Sequence, residues 1–174
     1  GATITKFLLT KNKKSLINKD EAKLLGYLLT DGYLSAKSNQ TIKFTSSTLE
    51  YIEEVSDLCQ SLFGFKGNIK KRSECNAWDI WLTDGCKGTR STVKQWLEDL
   101  SLLGVKKKFR NSVQLLSALE DEELGLFLNR VWAGDGCVST WKRKDRPNGD
   151  SVELSLTSND DFFIKTVSNI LFSM

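Results

Sequence analysis

The sequence predicts an α+β fold built from a duplicated helix–strand–strand–helix unit, with the second copy shorter than the first. Three observations predict it. A helix-period apolar run drops into Asp31-Gly32 within "LLTDGYLS", and another drops into Asp135-Gly136 within "VWAGDGCVS", 104 residues later. Strand-like alternation follows each Asp-Gly pair. Further on, "FTSSTLEYIEEVSDL" from Phe44 lies over "LTSNDDFFIKTVSNI" from Leu156 at an offset of 112, with Thr45/Thr157, Ser46/Ser158, Ile52/Ile164, Val55/Val167 and Ser56/Ser168 coinciding. The difference in offset falls in the basic insert "WKRKDRPNGD". Two matched segments in the same order support duplication better than either alone.

The elements follow in order. Asn18 is the expected N-cap of "KDEAKLLGYLLT", with Asp20 and Glu21 favouring the helix start. Residues 33–37 and 41–46 are expected to form a hairpin around "SNQ", with Ile42 and Phe44 on one face and Lys43 and Thr45 on the other. Thr48 is expected to cap a helix whose Leu49, Ile52, Val55, Cys59 and Leu62 make one apolar stripe. A second hairpin joins "KGNIKKRS" to "AWDIWLTD", with Trp78, Ile80 and Leu82 alternating. Ser91 opens a further helix, with Val93, Trp96, Leu97, Leu100 and Leu103 inward. The second unit reads as a helix over about 121–133, strands over 137–142 and 151–157, and a helix over 160–173. The domain organisation is a leader and first repeat over 1–119 and a second, incomplete repeat over 120–174, joined in one compact pseudo-symmetric domain.

The totals narrow the chemistry. A chain of 174 residues, 40% hydrophobic and 27% charged, can bury one ordinary core. With one Pro and no long apolar run, a flexible linker and a membrane span are both excluded. The four cysteines, Cys59, Cys75, Cys86 and Cys137, form no CxxC pair and read as free thiols in a reducing, intracellular setting. There is no histidine, which removes Ser-His-Asp and Cys-His nucleophiles and ordinary zinc sites. Acid–base and metal chemistry is left to carboxylates, lysines, water and a hard cation. Net charge is only +3, but residues 66–110 hold eleven Lys/Arg against five Asp/Glu. Such blocks can converge on a face that binds a polyanion, or remain solvated loops.

An Asp-Gly pair after a helix is usually a helix stop. Two in a duplicated frame point further. If the two helices pack side by side, both carboxylates arrive at one end, against the unfavourable helix dipole and against each other. Divalent cations between them relieve that cost, and Mg²⁺ suits oxygen ligands and phosphate. Close packing needs small residues at the contact. Gly26 and Thr30 supply it on the first helix and Gly134 on the second, where Arg130 must aim its head out of the seam.

"LLGYLLTDG" and "LNRVWAGDG" resemble the two copies of the LAGLIDADG motif. The chain is similar to single-chain, two-repeat LAGLIDADG (dodecapeptide) homing endonucleases, and "INKDEAKLLGYLLTDG" is especially similar to the endonuclease domains carried inside inteins. The resemblance implies a pseudo-two-fold saddle of αββαββα halves, with the motif helices central and the sheets over the major groove of a long, asymmetric double-stranded DNA site. It implies cleavage of both strands, with Mg²⁺ held by Asp31 and Asp135. It also implies a basic or amide residue on the sheet and a lysine further on in the active site, which fall here on Lys43 in "IKFT" and Lys106 in "GVKKKFRNS". Lacking histidine, beginning Gly-Ala and ending Ser-Met, the chain is not expected to splice.

Polar side chains on a two-stranded ribbon can reach base edges, which makes Lys43, Thr45, Trp81 and Ser155 candidates for DNA readout. Asp79, Thr83, Glu153 and Thr157 share their strand faces. Lys70, Lys71, Arg72, Lys142, Arg143, Lys144 and Arg146 are expected to contact phosphates. The second unit has no counterpart of the hairpin at 66–83 or the helix after it. A further segment, a second chain or a shorter second half would each account for that. Two other readings stand beside the nuclease: a non-cleaving DNA- or RNA-binding module such as a maturase, and a regulator or structural domain whose Asp-Gly turns are only caps.

Overall fold

The structure is a computed structural model that describes residues 16–37, 40–85, 91–104, 108–142, 150–158 and 161–173. It is α+β, with two antiparallel sheets. Helix α1 spans Lys19–Asp31. Its start is fixed by a reciprocal capping box, in which the Glu21 amide donates to Asn18 Oδ1 at 2.9 Å and the Asn18 amide to Glu21 Oε2 at 2.7 Å. The other Glu21 oxygen accepts from the Trp96 indole at 2.9 Å, tying a later helix to this cap. Leu24, Leu25, Tyr27, Leu28 and Leu29 are all buried, so α1 is apolar around most of its girth and sits inside the molecule.

Strands β1 (Gly32–Tyr33), β2 (Ile42–Ser46), β3 (Asn68–Lys71) and β4 (Trp78–Leu82) form one sheet in the order β1-β2-β4-β3. The first strand is shorter than the sequence suggested. Ile42, Phe44, Ile80 and Leu82 turn inward. Helix α2 (Leu49–Phe63) covers them with Ile52, Val55 and Cys59, and helix α3 (Thr92–Asp99) adds Val93 and Leu97 to the same core. Ser91 caps α3, accepting from the Lys94 amide. Thr48 stands at the N-cap of α2 but makes no side-chain cap bond; its own amide donates to Ser46 Oγ instead.

Helix α4 (Lys108–Leu116) was not expected from the sequence. Leu115, Leu116 and Leu119 bury its end. The second unit follows as α5 (Asp121–Asp135), β5 (Gly136–Lys142), β6 (Asp150–Leu156) and α6 (Asp161–Ser173). β5 and β6 pair as a separate two-stranded sheet.

Helices α1 and α5 pack tightly along glycines. A Cβ on Gly26 would come within 2.6 Å of Arg130 Cβ and 2.7 Å of the Phe127 carbonyl oxygen. A Cβ on Gly134 would come within 2.5 Å of Thr30 Oγ1. In each pair, Gly26 with Arg130 and Thr30 with Gly134, the partners stand 104 residues apart. Residues that face their own counterparts lie on a pseudo-two-fold axis. Advancing from 26 to 30 on α1 advances from 130 to 134 on α5, so the helices run in the same direction and end together. Arg130 keeps its Cβ in the seam and sends its guanidinium to Glu54 on α2, passing 5.8 Å from the Tyr27 ring. Tyr27 donates to the same carboxylate at 2.6 Å.

The two units are covered unequally. Ile42 in the first is fully buried, whereas its counterpart Leu154 is 64% exposed, beside Val138 and Val152 at similar exposure. In the first unit β4 extends the sheet beside β2, and α3 adds Val93 and Leu97 to the core. Among the described residues the second unit has no such pair.

Candidate functional site

The acidic tips meet. Asp31 and Asp135 are the last residues of α1 and α5. The Asp31 carboxylate reaches to 3.3 Å from where a Cβ on Gly134 would stand, one residue before Asp135. Neither helix carries a basic residue in its last turn, where a cation would favour the helix dipole. The following glycines, Gly32 and Gly136, are extended rather than left-handed. They are needed because the chain doubles back on its own helix. A Cβ would lie 2.2 Å from the Leu28 carbonyl oxygen at Gly32 and 2.4 Å from that of Trp132 at Gly136. Each aspartate is thus the hinge between a central helix and the first strand of its sheet.

Beside Asp31 the surface is concave. An open depression of about 570 Å³ is lined by Thr30, Asp31, Gly32, Tyr33, Gln40, Thr41, Lys43, Thr45 and Trp81. The strand register explains this lining. Tyr33 lies opposite Lys43, Lys43 opposite Trp81, Thr45 opposite Asp79, Trp81 opposite Asn68 and Asp79 opposite Lys70. Directly opposed residues share a face, so these side chains all leave the sheet on the side away from Ile42 and Ile80. Lys43 Nζ stands 6.0 Å from the Trp81 ring centroid.

At the centre of this face Asp79 is 7% exposed and fully engaged. Arg72 grips it with Nε to Oδ2 at 2.9 Å and Nη2 to Oδ1 at 2.8 Å. Thr45 donates to Oδ1 at 2.6 Å, and Lys43 Nζ lies 3.5 Å from the same oxygen. The Arg72 bonds, opposed by burial and helped by Thr45 and the charges of Lys43 and Arg72, hold the Asp79 carboxyl down to about 2.

Of the residues singled out from sequence, Asp31, Lys43, Thr45 and Trp81 come together around one depression, with Asp135 at the neighbouring helix tip. Lys70 is on the same face of the sheet. Lys71 lies on the other face of the sheet: strand alternation puts it opposite Trp78, and its Nζ lies 5.3 Å from the Trp78 ring. Arg72 is turned onto Asp79. In the second sheet Ser155 pairs with Cys137, sharing a face with Ser139, Trp141 and Glu153. Lys106, Arg143, Lys144 and Arg146 lie outside the described residues, and Lys142 is described only as backbone at the end of β5. Sequence reasoning missed Tyr33 and Gln40 as lining residues. It also missed Asp79 as the acceptor that organises the face; cross-strand register, not spacing, reveals it.

Residues 18–84 match the family model described as LAGLIDADG-like domain, from the cap of α1 to just past β4. Over that stretch the chain is similar to this family's domain. The stretch holds α1 with Asp31, the four-stranded sheet and its polar face. The chain is also similar to proteins named replicative DNA helicase DnaB. One from Rhodothermus marinus is 28% identical over 131 residues, covering 74% of this chain and 14% of the helicase. Another from Synechocystis sp. is 25% identical over 133 residues, covering 75% of this chain and 15% of the helicase. A third from Nostoc sp. is 25% identical over 138 residues, covering 77% and 16%. The chain therefore spans about a sixth or less of these relatives' lengths. Among the described residues no helix is long and apolar enough to cross a membrane.

Proposed function

We propose that the chain is a site-specific double-stranded DNA endonuclease, hydrolysing phosphodiester bonds with a divalent metal at Asp31 and Asp135. The juxtaposition of those two helix-terminal aspartates beside a lysine-bearing depression is the observation that carries the reading. The donor set fits Mg²⁺: two hard carboxylates, with no group of three or more acidic, Cys or His ligands among the described residues, leave coordination positions for water and phosphate oxygens. Bound there, the metal would activate water and stabilise the departing oxygen.

The chain's own residues would do the rest. Lys43 lines the same depression as Asp31, where its ammonium would neutralise charge on the scissile phosphate. Lys106 is proposed for the same duty. Thr45, Trp81 and Ser155 would meet base edges, and Lys70, with Lys142, Arg143, Lys144 and Arg146, would hold the backbone. Hydrolysis adds water across the phosphorus–oxygen bond and leaves a phosphate on one strand end and a hydroxyl on the other.

The similarity to stretches that make up only 14–16% of DnaB helicases supports an insert, intein-borne, within a helicase gene. The unit boundary is placed between residues 119 and 120. The exposed apolar face of β5 and β6 supports a further segment or a second chain completing the second unit. That same face favours a runner-up reading, in which this chain by itself binds DNA or RNA and nicks or fails to cut. The test is a supercoiled plasmid carrying the helicase coding sequence rejoined without the insert. Mg²⁺-dependent linearisation, stopped by EDTA, is expected. Retention of the plasmid in a tight complex without strand breakage would select the binding-only reading.

A further inference from the structure

We propose that Arg72, buttressed by Asp79, reads a guanine edge in the major groove rather than a phosphate; this rests on the DNA-binding reading above. Asp79 makes little sense on a phosphate-binding surface. A buried carboxylate there repels the backbone and weakens non-specific attraction. It makes sense as an organiser of donors. Both oxygens of Asp79 are occupied by Arg72, through Nε and Nη2, so the guanidinium is fixed in one plane. The Cys75 side chain also bonds the guanidinium, and the donors not used by Asp79 are the Nη1 group and the outer Nη2 hydrogen. The latter rests on Thr45 Oγ1 at 3.3 Å, a long bond that a base acceptor can replace. The arginine side chain remains 39% exposed, in contrast to the Asp79 side chain beneath it at 10%. Two adjacent N–H groups held in a plane match the paired acceptors N7 and O6 of guanine. A phosphate contact needs no such fixing, because a flexible ammonium or guanidinium finds an oxygen from many directions. Thr45 and Lys43, both on the same carboxylate, are set by the same anchor. Asp79 is therefore a positioning residue, and Arg72 the specificity-determining one.

The test is selection of binding sites from a randomised duplex library by the wild-type chain, Arg72→Lys and Asp79→Asn, with thermal melting and binding to random-sequence duplex alongside. The wild type is expected to enrich a motif with one near-invariant guanine. Arg72→Lys keeps the charge but loses the fork. It should lose preference at that one column by about ten-fold or more, keep the other columns, and leave the salt dependence of non-specific binding unchanged. Asp79→Asn should blur the same column while binding random duplex more tightly. A guanine column that survives in Arg72→Lys overturns the proposal, as does uniform weakening across the motif. If Asp79→Asn fails to fold, the lysine variant decides alone. A wild type that enriches no motif defeats sequence-specific DNA binding itself and takes this inference with it.

Discussion

Gly26 lies against the Cβ of Arg130, its own counterpart across the pseudo-two-fold axis, with no room for a methyl group between them. The contact sets how closely α1 and α5 approach, and hence how closely Asp31 and Asp135 are held. Gly26→Ala would push against the Phe127 carbonyl oxygen as well as Arg130, and backbone cannot step aside. Overpacking of this kind costs about 1–3 kcal/mol. Gly125 is an internal control on the facing helix, because nothing lies within 4 Å of its Cβ position. Gly125→Ala should be stabilising by roughly 0.5–1 kcal/mol through helix propensity. Urea denaturation of both variants gives the comparison, and equal shifts would remove the seam from the account of the site.

The unequal cover of the two units gives a second paired experiment. Ile42→Ala empties a fully enclosed position and should cost about 2–5 kcal/mol. Leu154→Ala, at the matching position of the second unit, should change stability by only about 0.5 kcal/mol. If the two losses are alike in the chain as it stands, the face of β5 and β6 is already covered in solution.

Arg130, Glu54 and Tyr27 bind the second unit to the first. Burial raises the Glu54 carboxyl, but the hydrogen bonds from Arg130 and Tyr27 outweigh it and its pKa is lowered. Burial and the Glu54 bond raise the Tyr27 hydroxyl. A double-mutant cycle of Glu54→Gln with Arg130→Met should return a coupling of about 1–2 kcal/mol, since removal of one partner leaves the other poorly satisfied. A coupling near zero would mean that the pair is solvated.

Acid should expose the Asp79 network. Its folded value, about 2, lies below the ordinary carboxyl value of 3.8, so its stabilisation is fully present above pH ~4 and is lost as pH falls towards 2. Glu54, also lowered, acts in the same direction. Stability should stay level as pH is reduced to about 4.5 and decline below it. Asp79→Asn should decline less steeply over that range. A slope unchanged by that substitution would contradict the assignment.

Much of this was legible in the sequence, for local reasons. Asn18 and Glu21 form a cap across three residues, and Asp31-Gly32 follows a helix of plain periodicity, so both could be read along the chain. The duplication placed Asp135 beside Asp31 before any contact was known. What could not be read along the chain needed another dimension. Lys71 was grouped with Lys70 and Arg72 by charge, although alternation along β3 sends it to the opposite face. Asp79 depends on three strands meeting in register, with Thr45 and Arg72 brought from far apart. Gly32 was read only as part of a helix stop; that its backbone is extended and that the Leu28 carbonyl oxygen leaves no room for a Cβ could not be read along the chain. Helix α4 was hidden in a basic stretch with no capping signal.

The most direct test of the central claim is strand scission of the rejoined helicase-gene plasmid in Mg²⁺ by the wild-type chain, Asp31→Asn and Asp135→Asn, with duplex binding measured on the same preparations. Both variants should keep their affinity for the duplex and lose cutting of at least one strand. Cutting at the wild-type rate by both would contradict a metal site shared by the two helix tips.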